Sequence, residues 1–196
     1  MTAVVVFDLG GVLYDFRGDA LIAGHSRRRL DREQVQATWI PLVRGHESGQ
    51  VSAEDFAALV IAEYDLTLTP EAFLVAFAEA AAGFYEGALD LVADCARRHT
   101  TASLSNIGCI QWTRVRAHLQ PIDPFHAHHP SHEIGRHKPD PQAWAAVADV
   151  HGAGRRYLFL DDRPENVASA RAAGWEAHQV RGVAAARAAL VASGVL

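Results

Sequence analysis

An unbroken apolar run, Ala3-Val4-Val5-Val6-Phe7, ends at Asp8 and leads into Leu9-Gly10-Gly11. Continuous apolar character over so few residues marks a strand buried on both faces, as in a parallel sheet covered by helices. The acid at its tip constrains the fold further, because a carboxylate carried into such a place needs a cation, a set of hydrogen-bond donors or a raised pKa. The same layout recurs where Tyr157-Leu158-Phe159-Leu160 runs into Asp161-Asp162. Ligands of open parallel sheets gather outside the carboxyl ends of the strands, so the two tips are expected to face one pocket. Three carboxylates converging there describe a divalent-metal site.

The chain of 196 residues fits one domain, or a core with a smaller insert. Eighteen Lys and Arg against 23 Asp and Glu leave a net charge of -5, which argues against coating nucleic acid or anionic lipid. A small-molecule ligand is the better expectation. No basic leader precedes the first strand and no apolar stretch reaches the roughly 18 residues of a membrane span, so a cytoplasmic protein is expected. Cys95 and Cys109 lack metal-ligand spacing and read as free thiols.

Residues 17–83 show helical rather than strand patterning. Ser52 followed by Asp55 is a helix start, as is Thr69-Pro70-Glu71, after which Phe73, Phe77 and Ala80 recur at helical spacing. From about residue 88 helices and strands alternate, with strands expected at 101–104, 125–128, 157–160 and 176–180. A helix begins at Pro139-Asp140-Pro141 and another spans Asn166 to Gly174. The expected fold is α/β, a Rossmann-like parallel sheet built from residues 1–16 and 84–196, with a helical cap from 17–83 inserted over the strand tips.

Four segments place polar groups after strands or at helix starts: Asp8-Leu9-Gly10-Gly11-Val12, Leu104-Ser105-Asn106, His137-Lys138-Pro139 and Leu160-Asp161-Asp162. In this order they resemble the four motifs of the haloacid dehalogenase superfamily, most closely its phosphatases with a small helical cap. Arg44-Gly45-His46-Glu47-Ser48-Gly49-Gln50-Val51-Ser52 and Ser131-His132-Glu133-Ile134-Gly135 add a likeness to the branch holding bacterial alpha-glucose-1-phosphate phosphatase and the phosphatase domain of soluble epoxide hydrolase. The resemblance implies strand order 5-4-1-2-3 and a magnesium ion held by Asp8, the Gly10 carbonyl and Asp162, with Asp161 as ligand or close partner. It further implies that Asp8 is the nucleophile, that Ser105 and the Asn106 N–H bind phosphate, and that Lys138 neutralises the phosphoryl group. The chemistry agrees: a phosphate dianion approaching an anionic nucleophile needs a cation between them, and magnesium suits an all-oxygen site.

One position departs from the pattern. Many phosphatases of this superfamily carry a second aspartate two residues after the nucleophile as general acid and base, and here Gly10 stands there. Such help is typically worth ~10²- to 10⁴-fold. Its loss points to another proton donor, or to esters whose leaving group needs little protonation, such as anomeric sugar, acyl or aryl phosphates. Two other readings remain open: a 2-haloacid dehalogenase, in which the aspartate attacks carbon without a metal, and a non-catalytic phosphate-binding protein.

Other features carry less. His126, His128, His129, His132 and His137 crowd one segment without a convergent zinc pattern. Arg27-Arg28-Arg29 and Arg32 read as a solvated helix face, and Arg17-Gly18-Asp19 as a chance tripeptide. Tyr14, Asp15, Phe16, Trp39, Arg44 and His46 fall where hinge and cap could contact a substrate, though each reads first as a packing residue. The chain is expected to act on a small phosphate ester as a monomer or homodimer.

Overall fold

A computed structural model describes residues 2–196, apart from the side chains of residues 18–20, 32–34 and 36. The readings of Gly18-Asp19 and of Arg32 therefore lie outside the described side chains.

Along the chain, β1 (Val4–Phe7) and β2 (Tyr14–Phe16) precede the helices α1 (Gly18–His25), α2 (Arg32–Glu47), α3 (Ala53–Tyr64) and α4 (Pro70–Glu79), which are followed by β3 (Ala81–Phe84). Helices and strands then alternate: α5 (Ala88–Ala96), β4 (Thr100–Ser105), α6 (Cys109–Leu119), β5 (Ala127–Pro130) and the short α7 (Ser131–Ile134). The chain finishes with α8 (Pro141–His151), β6 (Tyr157–Asp161), α9 (Pro164–Ala172), β7 (Glu176–Gln179) and α10 (Gly182–Ala192).

Five strands form a parallel sheet in the order β5-β4-β1-β6-β7. Numbered among themselves along the chain, they stand in the expected 5-4-1-2-3 order. The apolar character of β1 follows from its central place. Val5 and Phe7 pack on one face with Leu91, Val115, Leu158 and Leu190, while Val4 and Val6 pack on the other with Trp144, Val147 and Phe159. Alternate residues point to opposite faces, and with helices on both sides no position is left for a polar side chain until the tip.

The inserted helices form around a separate cluster of Ile22, Phe56, Val60, Tyr64, Phe73 and Phe77. Both expected starts are built as read: the Ser52 hydroxyl accepts the Asp55 N–H, and the Thr69 hydroxyl accepts the Ala72 N–H. Each satisfies one of the N–H groups that a helix start leaves unpaired.

Three local readings shift. The strand expected at 125–128 pairs at Ala127–Pro130, because Phe125 spends its apolar side chain against Phe7 from the preceding loop, where the Asp123 carboxylate accepts its N–H. The helix expected from Asn166 starts earlier, at Pro164, whose fixed φ suits a first turn. Between the core and the inserted helices, β2 and β3 form an antiparallel ribbon, unexpected because three or four residues are too few to show a period. The Tyr14 hydroxyl lies 3.2 Å from the Ala81 carbonyl and its ring packs edge-on against Phe84, so the two crossings of the chain are tied together.

Candidate active site

Asp8 lies one residue beyond β1 at the carboxyl edge of the sheet and is 8 % exposed. Its Oδ1 accepts the Leu9 N–H at 2.8 Å and stands 3.0 Å from the Lys138 ammonium, while Oδ2 has no hydrogen-bond partner among the described residues. Asp161 ends the neighbouring strand β6 and is fully buried. Every direction around it is occupied: Oδ1 accepts the Arg163 N–H at 2.8 Å, the Asn166 amide donates to both oxygens at 3.0 Å, and Lys138 donates to Oδ2 at 2.6 Å. Asp162 follows in the loop, half-buried, with its side chain against Gly11.

Carboxylate oxygens of Asp8, Asp161 and Asp162 come within 4.8 Å of one another. Lys138 supplies one buried positive charge against these three, and Arg163 and Arg181 add a pull on the half-buried Asp162 that its burial outweighs. Burial pushes the Asp8 carboxyl up to about 7; Lys138 pulls against this, and Asp161 and Asp162 add to it. Asp162 is raised too, first by its own burial and then by Asp161. Burial works against the charge on Lys138, yet Asp161 and Asp8 outweigh it and hold the ammonium above its ordinary value. A buried site left with surplus negative charge is completed by a cation, and an oxygen-only donor set fits a magnesium-type ion. The close approach at Gly11 supports that fit. Its φ is +71°, and a Cβ there would lie 2.4 Å from Asp162 Oδ2, so glycine is what lets this acid sit beside the β1 tip.

These groups line one side of a cavity of about 580 Å³, where Asp8, Gly10, Ser105, Asn106, Lys138 and Asp162 all appear. The structure thus brings six of the seven expected site residues to one wall. Asp161 stands behind it, and its filled coordination makes it the holder of Lys138. Ser105 ends β4, buried, with no hydrogen-bond partner for its hydroxyl among the described residues. Asn106, expected to act through its backbone, also clamps Lys138 with its side chain: Oδ1 accepts the Lys138 N–H and Nδ2 donates to the Lys138 carbonyl, each at 2.8 Å.

The opposite wall comes from the inserted helices and the ribbon, with Trp39, Ile40 and Val43 of α2, Phe77 of α4 and Phe16 of β2. Arg44, Arg163 and Arg181 also line the cavity. A pair the sequence reading did not make joins the two walls: His137 Nε2 lies 2.7 Å from Glu47 Oε2, and its Nδ1 lies 2.7 Å from the Lys138 carbonyl. Ninety positions separate Glu47 and His137, and no local pattern signals such a pair.

The remaining histidines take separate partners. His126 meets Thr101, His128 meets Asp123 and Ser103, His129 meets His151, and His132 meets the Ile107 carbonyl. His46 is buried and stacked on Phe56 at 4.7 Å, a packing residue of the inserted helices. Arg27 pairs with Asp65, and Asp15 pairs with Arg17. Both cysteines are free, Cys95 buried and Cys109 exposed. No helix among the described residues is long and apolar enough to cross a membrane.

Topology and site together define an α/β protein of Rossmann-like class with an acidic centre at the carboxyl edge of its sheet. Residues 2–174 match the family of haloacid dehalogenase-like hydrolases, and the chain belongs to that family. Among solved structures it is similar to a HAD family enzyme from Bacteroides thetaiotaomicron, with TM-score 0.80 and 19 % identity over 92 % of this chain and 94 % of that one. The same enzyme in complex with magnesium and inorganic phosphate aligns at TM-score 0.74 and 20 % identity, over 92 % and 95 % of the two chains. L-2-haloacid dehalogenase from Xanthobacter autotrophicus with covalently bound chloropropionic acid aligns at TM-score 0.63 and 20 % identity, over 100 % and 85 %. Compared by sequence with curated proteins, the chain has no match.

Proposed function

We propose that this hydrolase is a magnesium-dependent phosphatase of small phosphate esters, with the core of residues 1–16 and 84–196 carrying the chemistry and the cap of 17–83 closing over it. The observation that carries the reading is the Asp8 carboxylate at the cavity wall, with one oxygen held by Lys138 and the other free, Asp162 beside it and Asp161 behind. Magnesium held by Asp8, the Gly10 carbonyl and Asp162 would offset the charge of the phosphate. Asp8 Oδ2 attacks phosphorus, the bond from phosphorus to the ester oxygen breaks, and the electron pair leaves with the alcohol, which takes a proton from water. Water then hydrolyses the aspartyl-phosphate, returning Asp8 and releasing phosphate. Ser105 and the Asn106 N–H hold phosphate oxygens, and Lys138 neutralises the charge that develops on them.

The structure of a HAD family relative with magnesium and inorganic phosphate supports this reading by likeness of fold. The dehalogenase likeness is also one of fold, and Asp162 at the cavity wall would repel a carboxylate substrate. The test is phosphate release from para-nitrophenyl phosphate by wild type and Asp8→Asn, with magnesium and with chelator. The expected result is magnesium-dependent turnover that falls by at least ~10³-fold in the variant. A folded, magnesium-binding wild type without turnover overturns the reading.

A further inference from the structure

The second wall of the cavity defines the leaving group. Trp39, Ile40, Val43, Arg44 and Glu47 lie on one stripe of α2, at helical spacing, and all five line the cavity. The stripe is graded. At its carboxyl end Glu47 is fixed to His137, the residue before Lys138; one turn back stands Arg44; beyond it the stripe is wholly apolar, joined by the rings of Phe77 and Phe16. Seven residues of helix separate Glu47 from Ile40, a rise of about 10 Å. Ile40 is 39 % exposed although it lines a cavity, while Trp39 is held in place by edge contacts to Phe56 and Phe77. An aliphatic side chain left open to a cavity, beside a fixed aromatic, fits an apolar occupant better than a polyhydroxylated one.

A second observation is independent of that wall. Position 10 is glycine, and of its two consequences, a proton donor elsewhere such as Asp15 or Glu47 at the cavity or a leaving group that departs as a stabilised anion, the second agrees with the apolar stripe. An aromatic or enolic oxygen meets both conditions, and a sugar hydroxyl meets the first poorly. We infer, resting on the phosphatase reading, that the substrate is a phosphate monoester of an apolar ring alcohol of the phenol class, its ring lying along α2 against Ile40, Val43 and Trp39.

The test uses phosphonates, which occupy the phosphate site and are not hydrolysed. Calorimetric titration of the magnesium-loaded protein with phenylphosphonate and methylphosphonate reads the ring's contribution without turnover. Phenylphosphonate is expected to bind about 10- to 100-fold more tightly, as burial of a ring against apolar side chains predicts. Ile40→Asn is expected to cut that ratio several-fold and Ile40→Leu to restore it. Equal affinities, or a ratio untouched by Ile40→Asn, overturn the inference. Because the titration needs no catalysis, a failure here is distinct from a failure of Asp8-dependent phosphate release.

Discussion

The two walls of the cavity are built on opposite principles. On the sheet side, Asp161 and Lys138 are buried completely or nearly so, and each is held by several partners. On the helical side, Ile40 and Arg44 are exposed, and neither carries an ion pair or a hydrogen bond from its side chain among the described residues. A buried charge has one geometry because any other leaves it unpaired in a medium of low polarity, whereas an exposed side chain exchanges rotamers at little cost. Under the proposed phosphatase reading, chemistry belongs to the sheet wall, and selectivity to the exposed Ile40 and Arg44 of the helical one.

The sharpest way to break this contrast is at its most over-determined point. Lys138→Met removes the only ammonium between Asp8 and Asp161 and leaves both acids buried without it. Turnover of para-nitrophenyl phosphate should fall by ~10³-fold or more, and thermal unfolding should move to lower temperature. Loss confined to activity would mean that the network is less tightly coupled than its contacts imply.

A second test leaves the cavity and asks whether the sheet side resists protonation. Burial, then His151 and His128, hold His129 down at about 4, well below its ordinary 6.5. Its side-chain partner among the described residues is the His151 ring at 3.0 Å. Because the folded value is depressed, the unfolded chain binds the proton first, so this stability is present above pH 6.5 and is lost as pH falls toward 4. The loss should be about 3 kcal/mol, read by urea unfolding at several pH values, and His129→Met should flatten that part of the profile.

The approach of Asp162 to the β1 tip gives a third measurement. Gly11→Ala places a methyl group against the Asp162 carboxylate at a backbone angle that disfavours alanine. Magnesium affinity, by calorimetry, should drop about 10- to 100-fold, with a stability cost of about 1–2 kcal/mol. Gly10→Asp runs in the opposite direction. A Cβ at position 10 meets nothing nearer than the Phe16 ring at 3.4 Å, so the added carbon makes only ordinary contact. The variant should raise turnover of a simple alkyl phosphate by about tenfold, with little gain on para-nitrophenyl phosphate, whose leaving group needs no proton. The smallest effect is expected where the walls touch. Glu47→Gln keeps a hydrogen-bond acceptor for His137 but removes the charge, and KM should rise only a few-fold with kcat nearly unchanged.

Much of the sheet side was legible beforehand, for a definite reason. A strand covered on both faces admits only apolar side chains, so an acid at its end stands out against the run that precedes it, as Asp8 and Asp161 do. The helix starts at Ser52 and Thr69 were legible because capping is a local hydrogen bond between residues three apart. Strand β5 was misplaced by two residues because Phe125 is apolar for a reason outside the strand, its contact with Phe7. The ribbon was missed because its pairing joins short segments 67 residues apart.

By itself the sequence determined the alternation of helices and strands, the acids at the two strand tips, and the glycine where an acid is usual in this superfamily. These are statements about neighbours along the chain, and periodicity, capping and burial operate at that range. The tertiary structure alone decided that Asp161 holds Lys138 rather than facing the cavity, that the Asn106 side chain clamps the same lysine, that Glu47 meets His137, and that Ile40 lines the cavity. Each depends on which long-range partner reaches a buried donor or an open surface first, and the packing of the sheet against its helices settles that competition.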